Sequence, residues 1–249
     1  MTQVAQVRPG AQEPPVHKPA NRKAPWPVQF YASAVGKKWV MALTGAGLMG
    51  FVLVHMIGNL KIYLGPEDIN SYGEALRTLL HPIMPNHVVL WIFRIGLIVM
   101  FGAHIHAATA LTAMNRSSRP ERYQSPRDYV AANFASRSMR YTGVIVLAYL
   151  IFHLFDLSWT GTGYEFLRGD VHHNLIDSLS RPPIALVYII ANLAVAVHLY
   201  HGAWSMFQSL GLNNPRYNVA RRLFAGGFAT LIGVGNLSIP IMILAKVIK

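Results

Sequence analysis

Residues 184–207 read IALVYIIANLAVAVHLYHGAWSMF, a run with no Asp, Glu, Lys or Arg that nevertheless carries two histidines three positions apart. At about 1.5 Å of rise per residue this run is long enough for a helix to cross the roughly 30 Å hydrocarbon core of a bilayer. Four more stretches approach or exceed that length: 39–60, 88–113, 141–159 and 223–245. The whole chain is 53% hydrophobic and only 13% charged, about half the charge of an ordinary soluble domain. The pattern predicts an all-α integral membrane protein of five transmembrane helices.

The net charge of +12 raises the question of nucleic acid, and its distribution answers it. Arg8, Lys18, Arg22, Lys23, Lys37 and Lys38 precede the first span, and Arg116, Arg119, Arg122, Arg127, Arg137 and Arg140 fill the second connection. Arg216, Arg221 and Arg222 fill the fourth. The first and third connections instead mix Lys61, Arg77, Arg168 and Arg181 with Glu67, Asp68, Glu74, Glu165, Asp170 and Asp177. Alternating loops of this kind follow the positive-inside rule, so the N-terminus is expected in the cytoplasm and, after five crossings, the C-terminus outside. No nucleic-acid partner is needed. Residues 1–30, rich in proline and lacking the apolar core of a signal peptide, read as a flexible cytoplasmic tail; residues 31–249 form the transmembrane domain. There is no P-loop, GxGxxG or HExxH signature and no sequence repeat. With no cysteine, the chain cannot supply thiolates to an iron–sulfur cluster or a c-type haem. Any redox centre here must use histidine.

Of eleven histidines, His17, His81, His87, His172 and His173 lie in the tail, loops or helix edges. His55, His104, His106, His153, His198 and His201 lie inside predicted spans, where an ionisable group is costly and tends to be functional. Their depths can be compared. His55 is 17 positions beyond Lys38 and His153 is 13 beyond Arg140, roughly 25 and 20 Å from the cytoplasmic side. The second and fourth spans run the other way, so His104 and His198 have each come roughly 22–25 Å inward from the outer side. Two layers result: His55 with His153 in the outer half, His104 with His198 in the inner half. Two bis-histidine haems b stacked inside a bundle of the first four helices need this arrangement, and neutral imidazole is a good axial ligand. Gly45, Gly47, Gly50, Gly96, Gly102, Gly143 and Gly202 would let a macrocycle or a helix approach closely. Arg94 could meet a propionate of the outer haem and Arg140 one of the inner haem. His106 points some 200° away from His104, so both cannot serve one iron, although depth alone does not choose between them. His201 shares a face with His198 one turn deeper, in position for a propionate or a quinone.

Four blocks in order, KKWVMALTGAGLMGFVLVHMIGNL around His55, HIHAATALTAMNRSSRPERY from His104, MRYTGVIVLAYLIFHLF around His153 and HLYHGAWSMFQSLG from His198, resemble the single-polypeptide, dihaem cytochrome b membrane anchor of bacterial succinate dehydrogenase and fumarate reductase, respiratory complex II. The resemblance runs from about residue 31 to the end. It implies that His104 and His198, rather than His106 and His201, are ligands, and that the first helix pairs with the third and the second with the fourth. It implies a flavoprotein subunit with covalent FAD and an iron–sulfur subunit docked on the cytoplasmic face of the bacterial inner membrane. Electrons would pass between succinate and a membrane quinone, with menaquinone favoured, and this chain would not itself touch succinate. Quinone candidates are Tyr72 and Glu74, with Asn70, in the first connection, or Trp204 and Gln208 beside His201. Two other readings remain: a dihaem subunit of another quinone-linked dehydrogenase, such as a formate dehydrogenase or hydrogenase, and a haem-free membrane protein with packing histidines.

Overall fold

The computed structural model describes residues 24–118 and 134–249, except for the side chains of 134–137. Most of the proposed tail, with Arg8, His17, Lys18, Arg22 and Lys23, lies outside the described residues, as do Arg119, Arg122, Arg127 and the side chain of Arg137.

Eight α-helices and no strand occur among the described residues: α1 Trp26–Ala32, α2 Ala34–Asn59, α3 Pro66–Arg77, α4 Val88–Ser117, α5 Phe134–Leu154, α6 Val171–Leu179, α7 Pro182–Ser209 and α8 Asn218–Leu244. Five of the described segments are long and apolar enough to cross a membrane: 34–64, 88–117, 138–159, 182–209 and 215–244. They match the predicted spans, most extending a few residues further at their ends. Ser33 caps α2 by accepting a hydrogen bond from the Gly36 amide at 3.0 Å. Prolines open α3 and α7, where the absent N–H would have had no partner in any case.

α1 covers residues 26–30, read from sequence as part of a flexible tail, and two further short helices occupy stretches read as loops. Gly65 turns the chain with φ +110°, a backbone angle glycine adopts without strain. Pro66 then starts α3, with Glu67 and Asp68 in the first turn and Arg77 in the last, each charge placed to suit the helix dipole. In the third connection Asp170 caps α6, accepting from the His173 amide at 2.9 Å. α3 and α6 pack together as a cap over one end of the bundle. The amide of Asn70 joins them, donating to Asp170 at 3.0 Å while its oxygen accepts from the His172 amide at 3.0 Å. Those bonds, the His173 amide first, hold the Asp170 carboxyl below its ordinary range.

Within the bundle α2 packs on α4 and α7, and α5 on α7. The diagonal pairs, α2 with α5 and α4 with α7, make few close backbone approaches among the described residues; across the first diagonal the rings of His55 and His153 meet. α8 lies outside this four-helix group against α7. Ala225, Ala229 and Gly233 form its contact stripe, and a methyl on Gly233 would press Ala196 at 3.2 Å, the close backbone approach that small residues permit between helices in lipid. One apolar core joins Met49, Met56, Leu199 and Ala203 to that stripe; another lies under the cap around Ile62, Ile69, Leu179, Tyr188 and Ile243. The hull is apolar as well: Ile98 is 68% and Val234 64% exposed, surface that suits a lipid environment and not water.

Candidate functional site: two tiers of histidine

Nearest the cap, α2 and α5 bring His55 and His153 together across one diagonal. Their ring centroids are 5.8 Å apart and the ring planes cross at 88°. That separation is close to the roughly 6 Å expected of two imidazoles sharing one metal atom at about 2 Å from each nitrogen. Phe51 stacks on His55 one turn back, while Tyr149 and Tyr188 enclose His153 at centroid distances of 5.7 and 6.0 Å. His153 Nδ1 is buried with no hydrogen-bond partner among the described residues.

The deeper tier is anchored differently. His104 Nδ1 lies 3.1 Å from the carbonyl oxygen of Met41 and 3.2 Å from the Thr44 hydroxyl. That hydroxyl already donates to the Val40 carbonyl at 2.6 Å, so towards the imidazole it accepts. A carbonyl can only accept; Nδ1 therefore carries the proton and Nε2 keeps its lone pair. On the neighbouring pair of helices His198 Nδ1 meets the Thr142 hydroxyl at 3.2 Å and the backbone of Met139, and Thr142 donates back to its own helix at Ser138 and Met139. The two seats have the same make-up and yield the same tautomer, the one that binds a metal through Nε2. His104 and His198 lie within electrostatic reach of one another. Gly45 and Gly143 sit under the two rings, where a methyl would come within 3.3 and 3.6 Å of the respective imidazole carbons. Gly50, Gly96 and Gly102 have nothing among the described residues within 4 Å of where a methyl would stand.

His106 belongs to neither tier. Its Nδ1 is 2.5 Å from the Tyr31 hydroxyl and its ring stacks on that of Tyr31, so it ties α1 to the outside of α4. His201 is half-buried one turn beyond His198 and within electrostatic reach of it. Arg94 is exposed and stacks on Trp91 at 5.1 Å, and Arg140 is exposed near the start of the described part of α5. The quinone candidates fall at opposite ends. On α3, Tyr72 packs against Gly58 and lies 5.8 Å from the Lys61 ammonium, and Glu74 pairs with Arg77 at 2.9 Å. At the far end of α7 Trp204 carries the guanidinium groups of Arg221 at 5.0 Å and Arg222 at 5.9 Å, and Gln208 is exposed.

Asp156 escapes the sequence reading. It lies one turn past His153, where α5 widens into a π-helical turn over Phe155–Trp159, and it is fully buried. One carboxylate oxygen accepts from Ser178 at 2.5 Å and Tyr188 at 2.8 Å. The other accepts from Thr162 and lies 3.5 Å from Arg181. Tyr164 donates to the Asp156 carbonyl at 2.6 Å, and burial, with the carboxylate nearby, pushes its phenol up to about 12. A carboxylate inside an apolar span was the available signal. Because Tyr188 touches both Asp156 and His153, the cap and the outer tier share one network.

A haem b with two axial histidines needs only two protein ligands per iron, since the porphyrin supplies four nitrogens. Among the described residues no cluster of three or more His, Cys, Asp or Glu forms a metal site of its own. Two pairs of imidazoles on opposed helices meet the ligand count of the haem. No protein-family model, curated protein or solved structure matches the chain.

Proposed function

We propose that this chain is the cytochrome b membrane-anchor subunit of a succinate:quinone oxidoreductase, holding two haems b, one between His55 and His153 and one between His104 and His198. The observation that carries the reading is the inner tier: two imidazoles on α4 and α7, each fixed by acceptors on a neighbouring helix so that Nε2 is unprotonated. An imidazole that merely joined helices would have no need of the same seat twice. The outer tier adds two rings at the separation a shared metal would impose. When bound, the haems would carry single electrons between the inner and outer halves of the membrane. The chain's own work is to fix the imidazoles, exclude water with the apolar helices and close the outer end with the α3–α6 cap.

The resemblance of the four histidine blocks extends the proposal to a flavoprotein and an iron–sulfur subunit docked on the cytoplasmic side, where the arginine-rich connections are expected to lie. It also extends it to a membrane quinone as electron partner and to a bacterial inner-membrane location. The complex isolated through a tag on this chain tests the reading. Reduced-minus-oxidised spectra with a haem b α-band, about two haems per covalent flavin and succinate-driven haem reduction are expected. Haem with no covalent flavin would assign the chain to another quinone-linked dehydrogenase, and a colourless preparation would end the haem reading.

A further inference from the structure

The seats of the inner histidines are written twice in the chain. Met41, Thr44, Gly45 and His55 on α2 correspond to Met139, Thr142, Gly143 and His153 on α5 at one constant offset of 98 positions. The correspondence is functional in each copy: methionine carbonyl and threonine hydroxyl receive the Nδ1 proton of a histidine on the next long helix, and the glycine makes room for its ring. The matched positions are too sparse to register as a sequence repeat. His55 and His153, carried by the same two helices, are held otherwise: His153 Nδ1 is buried without a partner among the described residues, and aromatic rings enclose the pair.

A hydrogen bond from Nδ1–H to an acceptor shifts electron density onto the imidazole and strengthens Nε2 as a donor, which favours the oxidised, more positive metal. From this difference between the tiers we propose that Thr44 and Thr142 are positioning residues that tune the inner centre alone, setting the tautomer and donor strength of His104 and His198 and leaving the outer centre to be governed by its aromatic surroundings. The proposal rests on the dihaem reading above. Replacing one threonine by valine keeps the shape and removes one of two acceptors, since the methionine carbonyl remains. Loss of an outer-sphere partner costs 10–100-fold in metal affinity; with half the seat retained, we expect a three- to tenfold loss of preference for the oxidised state. For a one-electron couple that is an upward shift of about 30 to 59 mV.

The test is a redox titration of the two haem signals in the intact complex carrying Thr44→Val, Thr142→Val, Thr44→Ser or Thr142→Ser. Each valine variant is expected to raise the potential of one and the same haem, leave the other in place, and be restored by the serine variant, which keeps the hydroxyl. The glycines give a second arm. Gly45→Ala, at 3.3 Å from its imidazole, is expected to shift that same signal, whereas Gly143→Ala, at 3.6 Å, is expected to leave it nearly unchanged. If a valine variant fails to assemble, ¹⁵N-histidine NMR of the wild-type full-length chain, loaded or not, supplies the readout: His104 and His198 are expected to carry the proton on Nδ1. Unchanged potentials, equal shifts of both haems, serine variants that behave like valine, or protonation on Nε2 overturn the proposal. Haem present without these effects refutes the tuning alone; a wild-type chain with no haem refutes the dihaem reading and the tuning together.

Discussion

Asp156→Ala gives the sharpest test of how the cap is held to the bundle. The wild-type carboxylate is fully buried and accepts from Ser178, Tyr188 and Thr162, with Arg181 3.5 Å away. Deleting it leaves three hydroxyl donors and a guanidinium facing an apolar methyl. Removing one partner from a buried charged network costs about 3–5 kcal/mol. For a chain of this size each kcal/mol moves the melting midpoint by about 2–4 °C, so the midpoint falls by about 6–20 °C. Tyr188→Phe removes a single hydrogen bond to the carboxylate, worth about 1.5–3 kcal/mol, and should fall between the wild type and Asp156→Ala. Thermal unfolding in detergent, followed by tryptophan emission, measures both; Trp159 lies three residues beyond Asp156 and its ring meets Phe155 at 4.9 Å. A midpoint for Asp156→Ala within about 2 °C of wild type, less than 1 kcal/mol by the same conversion, would refute the role given to this network.

Three further outcomes follow from particular contacts. Because its hydrogen bonds hold the Asp170 carboxyl below its ordinary range, the cap gains stability from it above that range and loses the gain as pH falls through the lowered value. The exchange protection of the His173 amide should drop over that interval, and Asp170→Ala should abolish the pH dependence. His106→Ala frees Tyr31 and with it α1, so proteolysis near residues 26–33 should quicken while haem content stays whole; loss of a haem would mean that His106 is a ligand. In the outer tier the imidazole planes cross at 88°. If the proposed haem iron were held between rings that keep this crossing, its π-type d orbitals would be nearly degenerate and it would give a strongly anisotropic low-spin EPR signal; a rhombic signal of ordinary spread would contradict the geometry.

The spans were legible because hydrocarbon imposes one requirement, about twenty consecutive apolar residues, and the chain meets it five times. The tiers were legible because rise per residue converts position in the chain into depth, which groups His55 with His153 and His104 with His198 before any contact is known. Rotation about the helix axes was harder to read. The angular separation of His104 and His106 means that both cannot face inward; that His106 is the one turned outward to Tyr31 depends on packing. The cap went unread as structure because α3 and α6 are short and polar and carry no long apolar period, although Gly65–Pro66 followed by two acidic residues is a helix start. Asp156 carried a signal as a single carboxylate inside an apolar span, but its partners were hidden because Ser178, Tyr188 and Thr162 come from other segments of the chain. The threonine seats were hidden by chemistry, since a hydroxyl that bonds its own helix looks like any other helical threonine until the imidazole of the next helix is placed beside it.

The central claim, two haems gripped by four histidines in two tiers, is tested most directly by haem quantitation and spectroscopy on four single substitutions, His55→Ala, His104→Ala, His153→Ala and His198→Ala. Each is expected to lose one of two haems, with the His55 and His153 variants losing one spectral component and the His104 and His198 variants the other. Full pigment in all four, or losses that pair His55 with His104, would contradict it.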